Sequence, residues 1–214
     1  MTPGVVFDND GLLLDTEPCW TRAQTELFRR RGRTFGLAEK HALVGTAPVT
    51  AARILERLLD APGEGEALSD ELYELALEEI AAGAVPRPGA VDLVRRLRDR
   101  APLAVASNAP RRHLLAGLGR GALEDAFAVT LGVDDVEEPK PAPDLYLEAC
   151  RLLEVEPARS TALEDSPPGV AAARAAGLYM IGVPSVSGVL LEADVLVASL
   201  TDDAVWEAIV ARLS

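Results

Sequence analysis

Residues 5–11 read Val5-Val6-Phe7-Asp8-Asn9-Asp10-Gly11. Three apolar residues run together, and two acids and a glycine follow at once. That is how a strand covered on both faces reads when it ends in a polar turn. The pattern recurs downstream. Leu103-Ala104-Val105-Ala106 runs into Ser107-Asn108, and Ala128-Val129-Thr130-Leu131 runs into a loop holding Glu138-Pro139-Lys140-Pro141. Thr161-Ala162-Leu163 runs into Glu164-Asp165, and Met180-Ile181-Gly182-Val183 and Val195-Leu196-Val197 are two further apolar runs. Amphipathic stretches lie between them. Ala90, Leu93, Val94 and Leu97 share one face, as do Leu145, Ala149, Leu152 and Leu153 after Pro143. An Ala-rich stretch from Val170 to Ala176 stops at Gly177, a C-cap residue. Strand–helix alternation of this kind predicts βαβ units and a doubly wound parallel α/β sheet.

The alternation is interrupted from Thr16 to Ala84, where only helical patterns appear. Trp20, Ala23, Leu27 and Phe28 make one apolar stripe, and Ala51, Ile54, Leu55 and Leu58 a second. Leu68, Leu72, Leu75, Ala76 and Ile80 make a third, with Ser69 as its expected N-cap. Pro86, Pro88 and Gly89 mark the return to the α/β pattern. The chain is thus expected to hold a helical insert between the first strand and the rest of its sheet.

The 214 residues are 49% hydrophobic and 26% charged, as in an ordinary folded protein. A net charge of -13 opposes binding to nucleic acid or an anionic membrane, and 4% aromatics offer few stacking platforms. The longest uncharged stretch, from Ala175 to Leu191, is broken by glycines and a proline and is too short to span a bilayer. Cys19 and Cys150 form no CxxC pair and read as reduced, packed thiols. With no signal-peptide pattern after Met1, a soluble cytoplasmic protein is expected.

In an open α/β sheet, ligands bind outside the carboxyl ends of the strands. Asp8, Asp10, Ser107, Lys140, Glu164 and Asp165 should therefore meet on one rim. Taken singly, each has an ordinary reading as a turn, a helix cap or a solvated lysine. Together they suit phosphoryl transfer. Clustered carboxylates need a cation among them, and an all-oxygen donor set without His or Cys favours Mg²⁺. One carboxylate can attack phosphorus, and another two residues on can act as acid and then base. A hydroxyl and a lysine can hold the phosphoryl oxygens.

The run from Val6 to Pro18, Ser107-Asn108, Lys140 in Lys-Pro-Ala-Pro-Asp, and Leu163-Glu164-Asp165-Ser166-Pro167-Pro168-Gly169 resemble, in order, the four motifs of the haloacid dehalogenase superfamily. The helical insert resembles the cap of the subgroup that contains β-phosphoglucomutase and phosphoglycolate-type phosphatases. The resemblance implies a Rossmann-like core over 1–15 and 85–214 and a helical cap over 16–84. It implies Asp8 as nucleophile and Asp10 as acid and base, with the Asp10 backbone carbonyl on the metal. Asp165 would ligate Mg²⁺, and Glu164 would be a ligand or a partner behind the ligands. Ser107 and Lys140, helped by the backbone at Asn108, would hold the phosphoryl group. Asn9 and Leu12 depart from the family's commoner residues, at positions that carry no chemistry.

The expected activity is Mg²⁺-dependent hydrolysis of a small phosphorylated metabolite of the sugar phosphate class. A β-phosphoglucomutase-like phosphotransferase, a dehalogenase and a non-catalytic metabolite-sensing module are the alternatives. The leaving group is expected to meet Trp20, the segment 43–48 including Gly45, and Arg53. His113 and His41 read as surface histidines, and Gly117-x-Gly119-x-Gly121 as a helix end and loop. Arg111 and Arg112 are equally open to solvent exposure or to phosphate contact. The segment 60–86 carries eight acids and no Lys or Arg, and reads as a solvated helix face. The expected partner is a small phosphomonoester, and the sequence does not fix an oligomeric state.

Overall fold

A computed structural model describes residues 2–186 and 188–213. Its centre is strand β1 (Val5–Phe7), which is fully buried because the residues alternate between two apolar layers. Val5 and Phe7 enter one hydrophobic cluster, and Val6 enters the other. Four more buried or half-buried runs extend the sheet: β4 (Leu103–Ala106), β5 (Val129–Leu131), β6 (Thr161–Glu164) and β7 (Tyr179–Gly182). The short β8 (Val195–Leu196) closes one edge. The order is β5-β4-β1-β6-β7-β8, and every pairing in this sheet is parallel.

Helices α5 (Ala90–Leu97), α6 (Arg111–Arg120) and α9 (Asp203–Leu213) supply Leu93, Leu114 and Ile209 to the first cluster. Helices α7 (Asp144–Leu152) and α8 (Pro167–Ala175) supply Leu145 and Ala173 to the second. The fold is therefore a three-layer, doubly wound α/β sheet, as the alternation predicts. From β1 the chain builds β4 and β5 on one side and then β6 and β7 on the other. Such a reversal leaves a crevice at the carboxyl ends of β1 and β6.

The insert holds α1 (Glu17–Arg30), α2 (Leu37–Leu43), α3 (Pro48–Leu59) and α4 (Gly65–Gly83). Leu27, Leu55, Leu68 and Leu72 anchor a hydrophobic cluster of its own. The insert is entered and left through a two-stranded antiparallel ribbon, β2 (Leu14–Asp15) against β3 (Val85–Pro86). The chain thus departs and returns at one place.

Three local expectations are corrected. Helix α4 begins at Gly65, so Ser69 is not its N-cap. Ser69 is buried inside the helix and donates its hydroxyl to the Pro48 carbonyl at 3.1 Å. Gly117 and Gly119 lie within α6, and only Gly121 caps it. A Cβ on Gly117 would sit 2.6 Å from Leu14 Cδ1, so the glycine lets α6 approach the ribbon. His113 is 1% exposed rather than a surface residue, because it faces α4. No described helix is long and apolar enough to cross a membrane.

Candidate active site

Asp8 follows β1 directly, and its backbone N–H continues the ladder to the Leu163 carbonyl at 3.0 Å. The chain then turns sharply: the Asn9 carbonyl accepts from the N–H groups of Leu12, Leu13 and Leu14. Gly11 sits in this turn at φ +83°, where a Cβ would overlap the Asp165 carboxylate, so glycine is needed for both conformation and room. Glu164 ends β6, and Asp165 follows it. Ser166 caps α8, with Pro167 and Pro168 in the first turn, where no backbone N–H is required.

Lys140 enters from the loop before α7, is 5% exposed, and has an acceptor for each ammonium proton. Its Nζ donates to Asp8 Oδ1 at 2.7 Å, Glu164 Oε1 at 2.5 Å and the Ala106 carbonyl at 2.8 Å. Burial opposes that charge, but Asp8 and Glu164 together hold the Lys140 pKa above the ordinary lysine range. Asn108 fixes the lysine's backbone from both sides. Its Oδ1 accepts from Lys140 N at 2.9 Å, and its Nδ2 donates to the Lys140 carbonyl at 3.1 Å. The same Nδ2 reaches the Gly45 carbonyl of the insert at 3.2 Å.

Asp8, Glu164 and Asp165 offer carboxylate oxygens within 4.8 Å of one another, all buried. Burial first, and then the neighbouring Glu164 carboxylate, push Asp8 well above the usual carboxylate range despite Lys140. The same two causes push Asp165 up to about 8. One lysine does not balance this cluster, and a hard divalent cation would. Glu164 already accepts at both oxygens: from Lys140 and the Tyr146 hydroxyl at Oε1, and from Asp165 N, Ser166 N and Ser166 Oγ at Oε2. Asp8 and Asp165 each accept at one oxygen among the described residues, Asp165 from the Ser185 hydroxyl. The oxygen-only donor set fits Mg²⁺, and Asp8 and Asp165 are the carboxylates less engaged by other groups.

Asp10 lines the same cavity as Lys140. Its Oδ2 accepts from Ser107 Oγ at 3.2 Å and its Oδ1 from the Trp20 indole at 3.3 Å. Trp20 meets Tyr73 edge to face at 5.1 Å and stacks on His113 at 6.1 Å. His113 Nε2 lies 2.6 Å from the Tyr73 carbonyl, so this nitrogen carries the proton, and buried Nδ1 is without a partner among the described residues. Burial lowers the His113 pKa, which keeps the ring neutral.

The cavity brings together Asp8, Asp10, Ser107, Asn108, Lys140 and Asp165, with Trp20 and Gly45 over them. Glu164 lies beneath, fully buried. Arg53 does not line it. On α3 it points away from the buried Ala51–Leu55–Leu59 stripe and is exposed. Of the segment 43–48, Leu43, Val44, Gly45 and Thr46 line the cavity, whereas Pro48 opens α3. Arg111 is held by the Thr130 carbonyl and Asp135, and Arg112 pairs with Glu74 at 2.5 Å, so neither faces the cavity. The acidic stretch is only partly a solvated face, since Glu71, Glu74 and Glu79 pair with arginines of α1 and α6 and with Arg31. Tyr73, Tyr146, His113 and Ser185 were not among the expected site residues. Ser185 follows the β7 run, where the strand-end rule points.

The sequence profile of the haloacid dehalogenase-like hydrolases matches residues 2–177. The chain is 32% identical to a bifunctional riboflavin kinase/FMN phosphatase of Arabidopsis thaliana over 92% of its own length. It is 36% identical to (DL)-glycerol-3-phosphatase 1 of the same plant over 84% of its length. It spans only 53% and 63% of these two proteins. It is 33% identical to the fructose-1-phosphate phosphatase YqaB of Escherichia coli, covering 84% of this chain and 95% of that one. The crystal structure of CbbY from Rhodobacter sphaeroides in complex with phosphate superposes with a TM-score of 0.82 at 31% identity, over 94% of this chain and 96% of that one. A profile that covers most of the chain, over a rim of four acids and one lysine in the expected order, makes this chain a member of the haloacid dehalogenase-like hydrolase family.

Proposed function

We propose that the protein is a Mg²⁺-dependent phosphatase of small phosphorylated metabolites, sugar phosphates among them, working through an aspartyl phosphate on Asp8. The observation that carries this reading is Lys140, which ties Asp8 to Glu164 while Asp10 stands two residues from Asp8 with its own donors. Asp8 and Asp165, with the Asp10 backbone carbonyl, would hold Mg²⁺, which when bound offsets charge on the phosphoryl oxygens. Lys140 and Ser107 orient those oxygens so that Asp8 attacks in line. The new bond joins an Asp8 oxygen to phosphorus as the ester P–O bond breaks, and Asp10 gives its proton to the departing oxygen. Asp10, now ionised, takes a proton from the water that releases inorganic phosphate and regenerates Asp8.

In this reading 1–15 with 85–214 forms the catalytic core, and 16–84 forms a cap that limits water over Asp8. A compact cavity and a net charge of -13 support a small-molecule partner over a polyanion. The test is release of p-nitrophenol from p-nitrophenyl phosphate, expected with Mg²⁺ and lost in EDTA. Phosphorus NMR on β-glucose 1-phosphate separates the two acceptors. Inorganic phosphate is the expected product, and glucose 6-phosphate without matching phosphate would establish the mutase instead.

A further inference from the structure

Beyond Asp10 the cavity runs along α1. Thr16, Trp20 and Gln24 line it at intervals of four residues, on one face of the helix and its approach. Trp20 is the residue that reaches Asp10. Gln24 lies one turn further on, about 6 Å along the axis at 1.5 Å per residue. Gln24 is 5% exposed and Thr16 1% exposed, and Gln24 Oε1 and Thr16 Oγ1 are without hydrogen-bond partners among the described residues. Buried polar atoms without partners are disfavoured in a fold unless something else completes them.

The other insert residues on the cavity do not do so. Leu43, Val44, Ala51 and Leu72 have apolar side chains. The Tyr73 hydroxyl is given to the Thr46 carbonyl, and the Thr46 hydroxyl to the Leu43 carbonyl. A half-turn of the Gln24 amide presents either a donor or an acceptor along the cavity.

Charge restricts the ligand further. Among the described cavity-lining residues the cation is Lys140, whose ammonium is already shared by Asp8, Glu164 and Ala106. On the insert side the charged liner is Glu17, paired with Lys40 at 2.7 Å, and Lys40 does not line the cavity. A second phosphate or a carboxylate on the leaving group would meet no cation there.

We propose that Gln24, assisted by Thr16, is the specificity-determining residue for an uncharged, hydroxyl-bearing leaving group. The matching substrate is a polyol or sugar monophosphate with a hydroxyl two or more carbons from the ester oxygen. The inference rests on the phosphatase reading, and phenyl phosphate, which has no such hydroxyl, keeps the two separable.

The experiment compares kcat/KM for glycerol 3-phosphate, fructose 1-phosphate and phenyl phosphate, in wild type and in Gln24→Met. Methionine keeps the length and removes the hydrogen bonds. The polyol-to-phenyl ratio is expected to fall about tenfold, mainly through KM. Thr16→Val should move it in the same direction by less. A ratio taken on one preparation is insensitive to any misfolded fraction. A ratio unchanged in Gln24→Met overturns the inference, as does a wild type that prefers fructose 1,6-bisphosphate or 2-phosphoglycolate to both polyol monophosphates. A wild type that hydrolyses none of these, phenyl phosphate included, overturns the phosphatase reading and the inference with it.

Discussion

Asp8 and Asp10 are two residues apart, yet their surroundings give them different work. Asp8 shares Lys140 with Glu164 at the end of a central strand, which fixes one oxygen and leaves the other side open to the cavity. Asp10 holds neutral donors, Ser107 and Trp20, that can yield to a leaving oxygen. Asp8→Asn should therefore abolish phosphate release, since an amide is a poor nucleophile toward phosphorus. Asp10→Asn should lower kcat by about 10²–10⁴-fold, the scale of general acid–base help. Steady-state phosphate release on purified variants checks both, and full turnover by Asp8→Asn would exclude a covalent route through it. The acids, Ser107 and Lys140 were legible in the sequence because each follows a recognisable apolar run, where the sheet's geometry delivers side chains to one rim. Tyr146 was not, because an aromatic beside Leu145 and Ala149 on a helix reads as core. Its hydroxyl on Glu164 shows only in three dimensions. Arg53 was misplaced for the converse reason, since charge alone does not say which face of α3 the cavity meets.

Helices were easier to read than the devices that join them. The stripes of α1, α3 and α4 repeat over two turns or more, whereas β2 and β3 have two residues each and cannot display a period. The three glycines near the end of α6 were legible as a break but not as two different things. Gly117 is buried against Leu14 of the ribbon, while among the described residues Gly119 has nothing within 4 Å of an added Cβ. The local helix propensity is similar at both sites, so packing decides the sign. Gly119→Ala should stabilise by about 0.5–1 kcal/mol, the usual gain of alanine over glycine in a helix. Gly117→Ala adds a methyl where Leu14, fully buried, must give way, and should destabilise by about 1–2 kcal/mol net of that gain. Urea unfolding of the two variants beside wild type measures the difference. Equal stabilisation by both would show that α6 does not seat on the ribbon as closely as the glycine implies.

At the scale of the whole molecule, the buried acids couple stability to pH and metal. Burial and Glu164 hold Asp8 well above, and Asp165 at about 8 against, the ordinary carboxylate value of 3.8 in the metal-free fold. Between those values the folded chain keeps protons that the unfolded chain has lost. Stability from these groups is thus fully present below about pH 4 and is lost as pH rises toward 8. Mg²⁺ acts in the opposite direction, because it binds the ionised oxygens and must displace those protons. Its stabilisation through preferential binding to the fold should therefore grow with pH. His113, whose pKa is lowered by burial, favours the fold only above its own titration, but it contributes alike with and without metal. Lys140, raised by its two carboxylates, stays charged throughout this range. The difference in Tm between saturating Mg²⁺ and EDTA isolates the acids. It should be small at pH 5 and several degrees larger at pH 8, with the protein taking up protons from the buffer as the metal is stripped near pH 7, once the protons that EDTA itself releases on chelation are subtracted. A difference independent of pH would mean that Asp8 and Asp165 are already ionised in the metal-free protein, and that some group other than Mg²⁺ offsets their charge.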